Sequence, residues 1–291
     1  MTTIKLIALD LDNTLLLPDK TLSHRNKCIL QTLHHHHIKI VLTTGRPLPN
    51  TKPILDQLNF TEKDDYVILF NGGLIKNLSN NNILLNKYFS IKNIQPILLI
   101  LKSLSLPIDL VTQNHVYSIK EYGQSAYSQL ISRSLPYSQI NLSVLNTHTN
   151  FQFNKFVVCA TSEQLSHLEK ILSNSPLINN QFNFVRSRRI LLEFVPKNVN
   201  KALALNALLE HLSLTPDNLM AFGDEENDIE MIKLARIGVA MGNAIPKVKA
   251  AADFQTLDNV HDGVSEFLES YFRNITLDQH KKRLNNIRRF L

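Results

Sequence analysis

Apolar residues in this chain come in short, mostly hydrophobic runs that stop abruptly on polar ones. Ile4 to Leu9 is closed by Asp10, and Ile38 to Leu42 by Thr43-Thr44-Gly45-Arg46-Pro47. Tyr66 to Phe70 gives way to Asn71-Gly72-Gly73, and Leu219 to Phe222 to Gly223-Asp224. Runs of this length, rich in Val and Ile, read as buried strands. Between them the apolar spacing changes to that of helices. Leu22 to His37 is helix-like, with Thr21 or Ser23 as N-cap, and Asn50 to Leu58 suggests another helix. Lys201 to Leu212 carries Ala202, Leu205, Leu208, Leu209 and Leu212 on one stripe. Ile229 to Ala235 reads as a helix and Gly238 to Met241 as a short strand. Strands alternating with helices predict an α/β fold, a parallel sheet covered by helices on both faces.

The rhythm changes between about residues 84 and 192. There, helical stretches (Ile91 to Leu104, Ser162 to Leu172) mix with strand-like ones (His115 to Ile119, Phe151 to Cys159, Ile190 to Phe194), and phosphate-binding turns are missing. This part reads as an inserted α+β module, preceded by a polar turn at Asn77 to Asn82. The expected division is a core of 1–83 and 193–271, an inserted unit of 84–192, and a basic extension of 272–291. At 291 residues, two units of unequal origin are the expectation.

Composition narrows the class. A hydrophobic share of 44% and a charged share of 19% are those of an ordinary globular protein. The two cysteines, Cys28 and Cys159, lie far apart and outside any metal-ligand spacing, so a reducing cytoplasm is the expected setting. No run approaches the ~20 apolar residues of a membrane span, and Asp10 and Asp12 interrupt the first hydrophobic stretch too early for a signal peptide. The formal charge of +6 is concentrated after Phe272. Without zinc-finger spacing or an aromatic RNA-binding motif, it speaks for a pocket accepting phosphate dianions more than for nucleic acid.

Four strands that finish on polar residues make a candidate site, because an open parallel sheet binds its ligands along the carboxyl edge of its strands. Asp10 and Asp12 are two apart in an extended segment, so both carboxylates can face one substrate. Two such charges require compensating cations, a divalent metal and a lysine. Mg²⁺ suits oxygen ligands and bridges to phosphates. Asp10 can then attack phosphorus while Asp12 serves as general acid and then base. Thr44 offers a hydroxyl to a phosphate oxygen, Gly45 lets backbone N–H groups approach, and Lys201 adds charge at a helix N-terminus. Asp224 and Asp228 complete the acidic set. Taken singly, each of these features is also an ordinary turn, cap or helix start. The order in which they occur, each at a strand end or helix start, makes them a site.

Asp10-Leu11-Asp12-Asn13-Thr14, Thr44-Gly45-Arg46, Lys201 and Gly223-Asp224-Glu225-Glu226-Asn227-Asp228 together resemble the motifs of the haloacid dehalogenase-like hydrolases. The Asn71-Gly72-Gly73 turn, the late insertion and Gly238 to Ala244 resemble the Cof-type phosphatases of that superfamily. Over residues 3 to 270 the resemblance implies a Rossmann-like, doubly wound core with an inserted α/β cap. It implies Asp10 as nucleophile and Asp12 as acid/base. Mg²⁺ would be held by Asp10, the Asp12 backbone carbonyl and Asp224, with Asp228 in support. Thr44 and Lys201 would bind the phosphoryl group with Asn227 beside it, and Arg46, Asn71 and Gly72 would line the entrance. The implied activity is Mg²⁺-dependent hydrolysis of small phosphorylated metabolites, such as sugar phosphates, by a monomer or homodimer. Alternatives are a phosphotransferase or mutase using the same aspartyl-phosphate, or a phosphometabolite-binding regulator.

Three features depart from the family pattern. Asn13 stands where glycine is common, and asparagine tolerates the left-handed backbone such a position needs. His34 to His37 cannot all face one metal, since only residues three or four apart share a helix face, and read as a solvated helix end. Ile275, Leu277, Leu284, Ile287 and Leu291 of the basic tail could form one amphipathic stripe, packed on the core or on a second subunit.

Overall fold

The computed structural model describes residues 3–131, 135–148 and 150–273. Among the described residues the strands are β1 (Leu6–Leu9), β2 (Lys39–Thr43), β3 (Tyr66–Leu69), β4 (Leu74–Asn77), β5 (Ile83–Asn86), β6 (Asp109–Val111), β7 (Val116–Ile119), β8 (Tyr137–Ile140), β9 (Lys155–Cys159), β10 (Phe182–Arg188), β11 (Leu191–Pro196), β12 (Leu219–Gly223), β13 (Ile237–Ala240) and β14 (Phe254–Gln255). They form one eight-stranded sheet, ordered β14-β13-β12-β1-β2-β3-β4-β5, and one six-stranded sheet, ordered β10-β11-β9-β6-β7-β8.

From β14 to β3 the first sheet is parallel; β4 and β5 add an antiparallel hairpin at one edge. Successive residues of a strand point to opposite faces, and here both faces are buried. Ile7, Leu9, Ile40, Leu42, Met220 and Phe222 pack with Ile29, Leu33, Ile54, Val264 and Leu268 on one side. Leu6, Ala8, Val41, Leu219 and Ala221 pack with Ala204, Leu205, Leu208 and Met231 on the other. Burial on both sides is why these strands read as continuous apolar runs.

The second sheet is antiparallel except for the parallel β7–β8 pair. One face, with Leu110, Ile119, Phe156, Val158, Leu192 and Phe194, packs on Ile97, Leu101, Leu165 and Leu168 of two helices. On the opposite face Val111, Val157, Cys159 and Leu191 join the apolar cluster of the first sheet, and Asp109, Lys155 and Glu193 share that face by strand alternation.

Several sequence expectations change. The boundaries at 83/84 and 192/193 fall inside β5 and β11, so the sheets hand over after Asn86 and Pro196. The helix expected over Ile91 to Leu104 spans Gln95–Ser103, because Pro96 lacks an N–H and fits only the first turn. Phe153 makes only an isolated bridge with Phe89, and β9 begins two residues later, at Lys155. The histidine run splits. His35 to His37 are exposed, but His34 is buried, stacks on the Phe60 ring at 4.3 Å and bonds to Asp65 at 2.9 Å through Nε2. The amphipathic stripe expected from Ile275 to Leu291 lies outside the described residues. Among those described, no helix is long and apolar enough to cross a membrane.

One glycine is demanded by the way the core closes. Gly72 has φ +101°, and a Cβ there would stand 2.2 Å from the Asn200 carbonyl oxygen. Asn200 caps the helix that begins at Lys201, so this contact seats the lysine helix against the end of β3. Gly72→Ala is therefore expected to cost about 2 kcal/mol or more in urea unfolding and to lower activity, since both the conformation and the space oppose a methyl group. Wild-type stability would contradict the close approach.

Candidate active site

β1 lies between β12 and β2, with Leu9 opposite Phe222 on one side and Leu42 on the other. The next residues, Asp10, Gly223 and Thr43, thus stand side by side at the carboxyl edge. Asp10 is 7% exposed, and its N–H donates to the Phe222 carbonyl at 3.2 Å.

Opposite this edge, the Asn200 side chain caps its helix by accepting from the Leu203 N–H at 2.7 Å, which places Lys201 in the first turn. Lys201 is fully buried. Its Nζ lies 2.5 Å from Asp10 Oδ1 and 2.7 Å from Asp228 Oδ1. Asp228 Oδ2 accepts from the backbone N–H groups of Asp224 (3.0 Å) and Glu225 (3.1 Å), shaping the turn that presents Asp224. A Cβ on Gly223 would lie 2.4 Å from the Asp228 Cβ, so only glycine admits this arrangement. The Thr14 hydroxyl donates to Asp224 Oδ1 at 2.9 Å.

Asp10, Asp224 and Asp228 offer oxygens within 4.8 Å of one another. Burial pushes the Asp10 carboxyl well above the usual range; Lys201 opposes that, while the charges of Asp228 and Asp224 add to it. Burial and then the Asp228 charge push Asp224 up to about 7, against the Thr14 hydrogen bond. Burial disfavours the Lys201 ammonium, but Asp10 and Asp228 outweigh it and raise its pKa. A buried set of hard oxygens with more negative than positive charge suits a hard divalent cation, so the residues present fit Mg²⁺.

Asp12 is held differently. Arg46 grips it with two parallel bonds, Nε to Oδ2 at 2.9 Å and Nη2 to Oδ1 at 2.6 Å, and the Lys20 ammonium lies 2.8 Å from Oδ1. Burial would raise its pKa, but the hydrogen bonds and charges of Arg46 and Lys20 hold it at about 2. Between Asp12 and Thr14, Asn13 adopts the left-handed conformation (φ 61°) that its side chain tolerates. Thr44 is buried at the end of β2, and its Oγ1 accepts from the Arg46 N–H at 3.2 Å. The hydroxyl proton is thereby left to donate elsewhere. Asn71, also left-handed, accepts from the Asn227 side chain at 3.0 Å.

The structure thus joins Asp10, Lys201, Asp224 and Asp228 in one charged cluster. Asp12 is paired with Arg46, Asn71 with Asn227, and Thr44 and Gly45 occupy the loop between them. The sequence alone assigns no role to Thr14 or Lys20. Thr14 closes the D-x-D-x-T segment, a usable signal, whereas Lys20 sits in a turn with no distinguishing pattern.

Residues 7–268 match the family model described as haloacid dehalogenase-like hydrolase. The chain belongs to the haloacid dehalogenase-like hydrolases. A haloacid dehalogenase-like hydrolase from Bacteroides thetaiotaomicron superposes with a TM-score of 0.81 at 31% identity, covering 93% of this chain and 100% of that one. The structure of TM0651 from Thermotoga maritima gives 0.77 at 27% identity, over 92% and 97% of the two chains. Among curated relatives, the 5-amino-6-(5-phospho-D-ribitylamino)uracil phosphatase YitU of Bacillus subtilis is 27% identical over 286 residues, 92% of this chain and 97% of its own length. This haloacid dehalogenase-like hydrolase has curated relatives named as phosphatases, consistent with a phosphoric monoester hydrolase.

Proposed function

We propose that this hydrolase cleaves small phosphorylated metabolites in two steps through Asp10, with the unit between β5 and the lysine helix acting as a cap. The observation that carries the reading is the Lys201 ammonium bound to both Asp10 and Asp228. It offsets part of the cost of ionising a buried carboxylate and fixes its position at the sheet edge, both of which a nucleophile there needs.

In this reading Asp10 attacks phosphorus, the P–O bond to the leaving group breaks, and the phosphoryl group passes to the Asp10 carboxylate. The Thr44 hydroxyl and the Lys201 ammonium bind phosphoryl oxygens. Asp10, the Asp12 carbonyl and Asp224 would hold Mg²⁺, which supplies charge neutralisation to the transferring group, and Asp228 would keep Lys201 and the Asp224 turn in place. In the second step water attacks the aspartyl-phosphate, and ionised Asp12 takes its proton. Protonating the leaving group in the first step requires Asp12 to exchange its Arg46 and Lys20 bonds for a proton. An arriving phosphate dianion competes for the same guanidinium. The name of the ribitylamino-uracil phosphatase supports a phosphomonoester of a polyol or sugar as the substrate class.

The test is hydrolysis of p-nitrophenyl phosphate and of a panel of phosphorylated metabolites, with Mg²⁺ and with chelator. Metal-dependent release of phosphate is expected, and binding without turnover would refute the reading.

A pH dependence follows from the acidic cluster. Burial and the Asp228 charge push the Asp224 carboxyl up to about 7 in the folded, metal-free chain, against about 3.9 when unfolded. The folded state therefore binds more protons in this window, and the group's contribution, complete below about pH 4, is lost as pH rises to about 7. The metal-free protein should lose melting temperature from pH 4 to 7 through this group. Mg²⁺ should restore more of it at pH 7 than at pH 5. Equal stabilisation by Mg²⁺ at both values would contradict this.

A further inference from the structure

Lys155 begins β9 and Glu193 lies in β11, where its register partner is Val157. Lys155 is thus the diagonal neighbour of Glu193 on the sheet face that meets the core. The two form an ion pair at 2.5 Å with side-chain exposures of 6% and 13%, and the Ser187 hydroxyl donates to Glu193 Oε1 at 2.7 Å. Burial disfavours the Lys155 charge, but the Glu193 carboxylate outweighs it and raises the pKa; the same pairing lowers that of Glu193 against its own burial.

The ammonium also leaves its own sheet. Lys155 Nζ donates to the Gly45 carbonyl oxygen at 3.3 Å. That carbonyl belongs to the same planar peptide unit as the Arg46 N–H, which donates to Thr44 Oγ1 at 3.2 Å. One rigid plane therefore joins a cation of the second sheet to the hydroxyl at the end of β2. Arg46 itself grips Asp12, so the same residue's backbone and side chain serve both groups.

We propose that Lys155, held by Glu193, is a positioning residue that orients the Thr44 hydroxyl toward the phosphoryl group through the Gly45–Arg46 peptide. The inference rests on the reading of Thr44 as a phosphoryl ligand. Neither Lys155 nor Glu193 is asked to touch substrate. Their effect passes through Thr44.

Replacing both partners together, Lys155→Met with Glu193→Gln, leaves no buried charge unpaired and so spares the fold. Circular dichroism and the melting temperature verify that. The paired variant should lose about ten- to a hundredfold in kcat/KM for p-nitrophenyl phosphate, the scale of a misplaced positioning contact. In a Thr44→Val background the same replacement should cost less than about twofold, because the group it orients is gone. Lys155→Arg, which keeps a donor, should retain most activity, and Glu193→Gln alone should show a smaller loss that also vanishes with Thr44→Val. An equal loss in both backgrounds, or one that changes with the leaving group, would overturn the proposal. Wild-type turnover in the same assay separates the two readings. An inactive wild type refutes the phosphatase reading itself, whereas turnover untouched by the paired variant refutes only the role of Lys155.

Discussion

Asp10→Asn should lose Mg²⁺-dependent hydrolysis of p-nitrophenyl phosphate by on the order of 10⁴-fold or more, the scale reached when a nucleophile is removed. The substitution keeps the shape of the side chain and its place at the end of β1, but an amide is a poor nucleophile and offers no negative oxygen to a cation. It also removes the charge nearest Lys201, whose Nζ stays paired with Asp228. Burial disfavours an ionised Asp10, so neutralising it should leave the metal-free fold as stable as before or more so. Loss of activity with undiminished stability separates a chemical role from a structural one. A steady-state rate near that of the wild type would end the two-step reading.

Lys201→Met is expected to be costly in both respects. The ammonium is fully buried between two carboxylates, with Asp224 in the same cluster. Removing it leaves like charges facing one another in a dry setting, and breaking a buried pair in this way typically costs about 3–5 kcal/mol. The sign with pH is fixed by the partners. At low pH the carboxylates protonate and no longer need the lysine, so the penalty should shrink; toward neutral pH it should be complete. Activity should fall by at least about a hundredfold, as when one oxyanion donor is deleted. Mg²⁺ should recover part of the stability, because it supplies the missing positive charge. Denaturant titrations at pH 5 and pH 7.5, with and without Mg²⁺, measure all of this. A penalty independent of pH would show that the lysine acts by packing and not by charge.

The core and its acidic edge were legible in the sequence for a physical reason. Strands buried on both faces carry apolar residues at nearly every position, so β1, β2, β3 and β12 stand out, and their polar ends are conspicuous by contrast. Asp10, Thr44 and Asp224 stand at those ends, and Lys201 at the start of an amphipathic helix. The second sheet is less readable because its core-facing side mixes apolar residues with the charged Asp109, Lys155 and Glu193. Its Asp109 and Glu193 occur where alternation would place apolar residues, and β6, β8 and β10 carry no strand pattern of their own. The hairpin of β4 and β5 shows in the sequence only as its turn, since the polar Asn77 to Asn82 segment obscures the pairing on either side. Contacts across long separations were the least visible. The Arg46 grip on Asp12 and the Lys155 bond to Gly45 join segments whose local patterns are independent.

The central claim is that the phosphoryl group passes through Asp10. Rapid acid quench of the enzyme during turnover of ³²P-labelled p-nitrophenyl phosphate with Mg²⁺, followed by peptide mapping, tests it most directly. A hydroxylamine-labile label on the peptide that contains Asp10 is expected. Turnover with no protein-bound label at any quench time, or a label on another residue, would contradict it.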